Sequence, residues 1–255
     1  MPAQLDLSKL SVRQFAERFR GDMIPLSNTF SYFCASVPMS EEDLKEYLEE
    51  PVAALPPAIA SALPKISILL VPYLERANGR EGPKTKTSTD YVSIEKPPQE
   101  LLSTSAQLRL GDETVLAFAL KDQEVAEYHY CFYHLLATVL GEHWSEETET
   151  RYSHVLREEV SADVHGEVDE PSWRLKQGLR RSRSSTSRRA FRDYVRQSFI
   201  DTLTLYLHGL CCDIDVDTGP RQLPSRYLRK RPMALEEMFP PPKGYAVFPE
   251  QLEQG

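Results

Sequence analysis

Short runs of apolar and β-branched residues mark the middle of the chain as strand-forming. Gly111 and Asp112 separate the last two runs and form a pair that is typical of a hairpin turn. Because the runs follow one another without an intervening helical pattern, they predict antiparallel pairing. The four runs cover residues 66–71, 90–95, 105–110 and 114–120.

The second half of the chain shows the spacing of apolar residues that is typical of amphipathic helices. Ser145, followed by Glu146 and Glu147, has the pattern of an N-cap with an acidic first turn. The sequence therefore predicts an α+β fold in which a small antiparallel sheet of about residues 66–120 is covered by C-terminal helices. The helices are predicted at residues 122–140, 145–165, 171–178 and 187–210.

The two ends of the chain are predicted to form separate segments. Ser11 with Gln14 has the pattern of a capping box, and Ser40 precedes three acidic residues, so short helices are expected near the N-terminus. Residues 239–242 have the sequence Phe-Pro-Pro-Pro, which favours an extended chain. The predicted division is an N-terminal helical segment (1–65), an α+β core domain with an Arg/Ser-rich loop at 180–189 (66–220), and an extended C-terminal tail (221–255).

Composition narrows the class of protein. Four cysteines in 255 residues, without a Cys-x-x-Cys pair, argue against a disulfide framework or a thiolate zinc knuckle and favour a reducing compartment. The first residues lack the basic and apolar stretches of a secretory signal, and no apolar run approaches the roughly 18 residues of a membrane span. We therefore expect a soluble cytoplasmic protein with no membrane partner.

Charge is distributed unevenly along the chain. Residues 174–231 contain 14 basic and 5 acidic residues, although the net charge of the whole chain is −8. The basic segment is suited to phosphate contacts, whereas the overall negative charge opposes long-range attraction to nucleic acid. An acidic partner segment within the same chain would explain the same distribution.

Five arginines of the Arg/Ser-rich loop are candidate phosphate ligands, because a guanidinium group binds phosphate through paired hydrogen bonds. The serines between them are candidate phosphorylation sites, and phosphorylation would reverse the local charge. The alternative is a solvated loop that balances acidic surface nearby. The loop has no aromatic residue for base stacking, which weakens a role in binding nucleic acid. The five arginines are Arg180, Arg181, Arg183, Arg188 and Arg189.

A line of polar residues runs along the otherwise apolar first helix of the second half. Glu127, Cys131 and His134 are spaced four and three residues apart, which places them on one face. On the next helix, Glu159 and Asp163 fall on the apolar face. If the two helices pack antiparallel, these residues meet, and a divalent zinc, iron or manganese ion, a shared proton or an arginine must compensate the carboxylates. The alternative is that Glu127 and His134 form ordinary hydrogen bonds within the core.

Three functions are compatible with these patterns. The leading interpretation is a non-catalytic protein-interaction protein with a protein partner, because the sequence has neither a glycine-rich phosphate loop nor a Gly-x-Ser-x-Gly elbow and its charge is divided between segments. The second is a metal-dependent hydrolase, or a degenerate relative of one, built on the predicted metal ligands. The third is a nucleic-acid accessory protein that uses the basic residues of 180–196.

Overall fold

The computed structural model describes residues 10–77, 90–181, 188–212 and 221–248. These residues fall into two units, one made of residues up to 51 with 63–131, and the other of 52–62 with the residues from 132 onward. Among the described residues, no helix combines the length and the hydropathy that crossing a membrane requires. In chain order the elements are α1 (Val12–Phe19), a 3-10 turn (Arg20–Asp22), β1 (Ile24–Pro25), β2 (Phe30–Cys34), α2 (Glu41–Leu44), a π-helical turn (Lys45–Glu49), α3 (Glu50–Ala53), α4 (Pro57–Ala62), β3 (Lys65–Val71), β4 (Tyr73–Glu75), β5 (Tyr91–Ser93), a 3-10 turn (Gln99–Leu101), β6 (Leu102–Ser103), β7 (Ser105–Leu110), β8 (Glu113–Ala119), α5 (Val125–Glu142), α6 (Glu146–Ser161), α7 (Glu170–Arg181), α8 (Arg188–Cys211) and α9 (Ser225–Met238).

The first unit is built around a five-stranded mixed sheet with the strand order β1-β2-β3-β8-β7. The middle strand, β3, pairs in parallel with β2 and with β8, and Ile68 lies opposite Leu116 in the second pair. β7 and β8 form the predicted hairpin, and Gly111 in its turn has a φ of +67°, a left-handed conformation that favours glycine. All residues of β3 after Lys65 are buried, in agreement with its central position.

The predicted α+β class, with a small antiparallel sheet and C-terminal helices, is confirmed. The structure also contains parallel strand pairs, which the sequence pattern did not predict. Between β3 and β8 the chain forms a separate antiparallel sheet with the order β5-β4-β6. β7 starts at the edge where β3 ends and carries the chain back to the edge where β3 begins, so that β8 runs in the same direction as β3.

Helix α1 packs with strands of both sheets in the first unit. Val12 donates its backbone N–H to the carbonyl of Asp90 at 2.8 Å, directly before β5. The apolar face of α1 is then buried in a common core, which removes it from water and stabilises the helix. The buried core residues are Val12, Phe15, Ala16, Ala35, Leu69, Val71, Leu74, Val92, Ala106, Leu108, Leu110, Val115, Ala117 and Ala119.

The N-terminal segment contains strands as well as the predicted helices. The capping predictions are confirmed, since the side chain of Ser11 accepts the N–H of Gln14 and that of Ser40 accepts the N–H of Asp43. The strands β1 and β2 were not predicted. β2 has an aromatic-rich sequence, which favours a strand once a neighbouring strand is available to pair with it, and here that neighbour is β3.

Helices α6 to α9 make up most of the second unit. α6 begins where it was predicted, because the hydroxyl of Ser145 accepts the N–H of Thr148 at 3.1 Å. The 24-residue helix α8 contacts α6, α7 and α9 and is close to its predicted span. Its length and its many buried residues make it the central support of this unit.

The C-terminal tail, predicted to be extended from residue 221, instead contains helix α9. Pro232 lies inside α9 and removes one helical hydrogen bond, so the local pattern does not favour a helix there. Burial of one helix face compensates for the lost hydrogen bond, since Arg231, Pro232 and Leu235 all lie in the interior. The helix ends at Met238, and the Phe-Pro-Pro-Pro sequence follows it.

Candidate anion-binding site

A buried cluster of charged side chains lies in the second unit, centred on Arg231 of α9. Arg231 has an exposed fraction of 0%. Its Nη2 donates to Oε2 of Glu159 at 2.6 Å, and its Nε donates to the two oxygens of the same carboxylate at 3.1 and 3.2 Å. Nη1 and Nη2 also donate to Glu167 at 2.6 and 2.9 Å. One guanidinium group therefore binds two buried carboxylates.

Glu167 is held by a second cation as well. Nζ of Lys176, on α7, donates to Oε1 of Glu167 at 2.9 Å and to the carbonyl of Gly166 at 2.8 Å. The hydroxyl of Tyr194, on α8, donates to the same carboxylate oxygen. Two cations thus face two carboxylates, which is the condition under which buried charges are tolerated.

Electrostatics fix the protonation of this cluster at neutral pH. Burial by itself raises the pKa of Glu167, but the positive charges of Arg231 and Lys176 outweigh it and lower that pKa to about 2. Burial raises the pKa of Tyr152, which hydrogen-bonds Ser198 and Thr202 nearby, to about 12. Burial and the charge of Glu167 also raise the pKa of Tyr194. The carboxylate is therefore ionised and both phenols are protonated.

A close backbone approach places Glu167 in the cluster. Gly166 has a φ of +80°, and a Cβ at this position would lie 2.1 Å from the carbonyl oxygen of Gln222. Only glycine fits at position 166, because any other residue would place a Cβ against the backbone of Gln222. Glu167 then pairs with the segment before α9, since its N–H donates to the carbonyl of Arg221 at 3.0 Å and its carbonyl accepts from Leu223 at 3.1 Å.

A pocket of about 350 Å³ opens beside Lys176. Three helices line it, and each contributes side chains three or four residues apart, which lie on one helical face. The lining alternates between cationic and apolar side chains. The lining residues are Arg157 and Val160 of α6, Lys176, Leu179 and Arg180 of α7, and Arg188 and Phe191 of α8.

Four cations line the pocket among the described residues, and two of them already have acidic partners. Lys176 is paired with Glu167. Arg180 donates to Oδ1 of Asp163 at 2.6 Å and to the backbone carbonyls of Asp163 and Val164 at 3.0 and 3.2 Å. Its Nη1 lies 2.7 Å from Nδ1 of His165. These contacts hold Arg180 at the pocket wall and neutralise its charge in part.

The other two cations, Arg157 and Arg188, have no acidic partner among the described residues. The guanidinium carbon of Arg157 lies 5.3 Å from the ring centre of Phe191, a cation–π contact that orients this side chain. Arg188 is the first described residue of α8, and it lines the pocket together with Phe191, which lies one turn further along the helix. The arrangement suits an anion that carries an apolar group.

The predicted phosphate ligands are divided by the structure. Arg180 and Arg188 line the pocket together. Arg181 and Arg189 are exposed and do not line it. Arg183 lies outside the described residues. The role of these arginines in binding phosphate stays a prediction.

The predicted metal ligands lie in different surroundings. Glu127 is exposed, and Cys131 accepts from Nε2 of Gln123 at 3.8 Å. Nδ1 of His134 lies 3.5 Å from the hydroxyl of Thr204. Their use as ligands stays a prediction.

The two acids of the predicted metal set have cationic partners. Glu159 is buried as expected, and Arg231 supplies the arginine compensation that the sequence left as one of three alternatives. Asp163 does not face the interior as Glu159 does, because α6 ends at Ser161. The side chain of Asp163 is 79% exposed and pairs with Arg180.

Sequence reasoning did not identify Arg157, Lys176 and Arg231 as functional or structural centres. The sequence does contain an indication for Arg157. An apolar residue, Val160, follows it three positions later, as Phe191 follows Arg188. No comparable local signal marks Arg231, whose carboxylate partners lie 64 and 72 residues away in sequence.

Comparisons with known proteins identify no relative. Family models, curated protein sequences and solved structures all give no significant match to this chain.

Proposed function

We propose that this protein is a non-catalytic interaction protein and that its second unit binds an acidic segment of a protein partner in the pocket between α6, α7 and α8. The observation that supports this most directly is the pair of arginines, Arg157 and Arg188, which lack an acidic partner among the described residues and stand beside an apolar wall. Two such charges favour a negatively charged partner, and the wall favours an apolar side chain next to it.

The chemistry of the lining residues supports binding over catalysis. Within the part of the chain that the structure describes, the lining residues include no carboxylate, histidine, serine or cysteine that would act as a base or nucleophile. The carboxylate of Glu167, which binds the lining residue Lys176, also accepts hydrogen bonds from Arg231 and Tyr194. Its lowered pKa makes it a weak base. We therefore assign the buried cluster around Arg231 a structural role, in which Glu167 holds the lining residue Lys176 in place.

Binding of two random peptide libraries tests the proposal. One labelled library carries a fixed Glu-Leu pair, and the other carries Gln-Leu at the same position. We expect the anionic library to bind more tightly, and its affinity to fall as salt is raised, because exposed charges are screened. The Arg157→Gln, Arg188→Gln double variant should lose this preference.

Arg192→Gln is the matched control, since Arg192 is exposed on α8 and does not line the pocket. It should bind as the unaltered protein does. Peptide binding that the double variant leaves unchanged, or no preference for anionic over neutral peptides, would contradict the proposed function.

A further inference from the structure

We infer that the anion recognised by the pocket is a phosphorylated side chain, a phosphoserine or phosphothreonine, followed by an apolar residue in the partner. This inference rests on the proposed function and specifies its ligand. Three features support it: the positive charge that remains in the pocket, the different helices that carry Arg157 and Arg188, and the apolar wall formed by Val160, Leu179 and Phe191.

The charge balance favours a dianion over a carboxylate. Of the four described cations that line the pocket, Lys176 is neutralised by Glu167 and Arg180 is paired with Asp163. Arg157 and Arg188 remain, which leaves about two positive charges. A phosphomonoester carries roughly −1.5 to −2 at pH 7, whereas a carboxylate carries one negative charge. One phosphate therefore compensates both arginines, and one carboxylate does not.

The two arginines reach the pocket from different helices. Arg157 belongs to α6 and Arg188 to the first turn of α8. A phosphate offers three terminal oxygens and accepts from two guanidinium forks at once, whereas a carboxylate offers two oxygens in one plane.

The apolar wall specifies what stands next to the phosphate. Val160 has an exposed fraction of 41% and lines the pocket beside charged groups. Leu179 and Phe191 continue this surface. An apolar side chain adjacent to the phosphorylated residue would cover the three side chains and remove them from water. Inorganic phosphate alone would leave them exposed.

A third labelled library, with a fixed phosphoserine-Leu pair, tests the inference beside the Glu-Leu and Gln-Leu libraries. We expect the phosphoserine library to bind at least about ten-fold more tightly than the Glu library. Arg157→Gln and Arg188→Gln should each weaken this binding by about ten-fold, as loss of a charge-assisted hydrogen bond does. Arg192→Gln should leave it unchanged.

The apolar wall has its own test. Val160→Ser should weaken binding of the phosphoserine-Leu library but not of a phosphoserine-Gly library, because only the first has a side chain to place on the wall. Val160 and both arginines are exposed, so thermal unfolding of each variant should match that of the unaltered protein. A variant that fails this folding check is replaced by the Lys substitution at Arg157 or Arg188, which keeps the charge but removes the fork and should still weaken binding.

The outcomes separate the inference from the proposed function. If the phosphoserine and Glu libraries bind equally, the phosphate inference is wrong and the proposed function stands. If neither binds more tightly than the Gln library, both fail. If a mixed-sequence single-stranded oligonucleotide binds with the same dependence on Arg157 and Arg188 and the phosphoserine library does not, the ligand is a nucleic acid and the inference is overturned.

Discussion

Arg231 and Glu167 lie 64 residues apart in sequence, yet two hydrogen bonds of 2.6 and 2.9 Å join their side chains, and both are fully buried. The contact links α9 to the loop between α6 and α7. Because Glu167 is also bound by Lys176 of α7, the pair connects the charged interior to the pocket wall. Stability of the second unit and geometry of the pocket therefore depend on the same residues.

Replacing Arg231 with methionine should strongly destabilise the protein. The variant keeps much of the side-chain volume but leaves Glu159 and Glu167 without their shared cation. Breaking a buried ion pair in this way costs about 3–5 kcal/mol. Urea unfolding at pH 7 measures the loss.

Lys230→Gln is the control for that variant, because Lys230 pairs with Glu158 at the surface of the same helix. Its loss should change stability by less than about 1 kcal/mol. Equal effects of the two substitutions would show that the buried cluster does not contribute as described.

Stability should fall in acid because of Glu167. Its folded pKa of about 2 lies below its ordinary value of 4.5, so its contribution is complete above about pH 4.5 and is lost as the pH falls toward 2. The loss is on the order of 3 kcal/mol. Urea unfolding at pH 7, 5 and 3 gives the dependence. In Glu167→Gln the slope between pH 5 and 3 should be smaller, and an unchanged slope would assign the acid sensitivity to other groups.

Asp201 should have the opposite effect on the pH dependence. Burial raises its pKa to about 6, although it accepts hydrogen bonds from the N–H of Ser172 and from Gln197. The folded state therefore holds a proton that the unfolded state releases, and stability rises as the pH falls from about 7 toward 4. Asp201→Asn should stabilise the protein by about 3 kcal/mol at pH 8 and by roughly half as much at pH 5.

Thermal unfolding at pH 8 and pH 5 measures this difference. Asp193→Asn, at an exposed position on the same helix, should show no such dependence on pH. Destabilisation of Asp201→Asn at pH 8 would mean that its charge is needed at the start of α7.

Gly166→Ala should destabilise the protein because the added Cβ would lie 2.1 Å from the carbonyl oxygen of Gln222 and the backbone has a positive φ. We expect a loss of about 3 kcal/mol or more, since backbone must move and Glu167 moves with it. Gly178→Ala, in the exposed part of α7 with nothing within 4 Å, should instead stabilise by about 0.5–1 kcal/mol. Thermal unfolding of both variants checks the contrast, and two effects of the same sign would contradict it.

The sequence by itself determined the elements whose cause is local. Ser11, Ser40 and Ser145 cap the helices that follow them, because each side chain accepts an N–H within three residues. Gly111 specifies the β7–β8 turn through its positive φ. β3 and α8 were likewise predicted from single segments, the apolar run at 66–71 and the helical spacing at 187–210. The pattern of apolar residues within one segment is enough to indicate which of its faces is buried.

Tertiary structure alone decided which segments meet. The parallel pairing of β3 with β8 depends on β7, which returns the chain to the edge where β3 begins, and no pattern within β3 or β8 indicates it. α9 contains a proline and has a charged residue at its buried face, so its local sequence does not favour a helix. The helix forms because α6 and α8 bury it and because Glu159 and Glu167 pair with its Arg231. The pocket likewise exists because three helices bring their cations together. Contacts of this kind join residues that are distant in the chain, and their free energy is gained only when the whole unit packs.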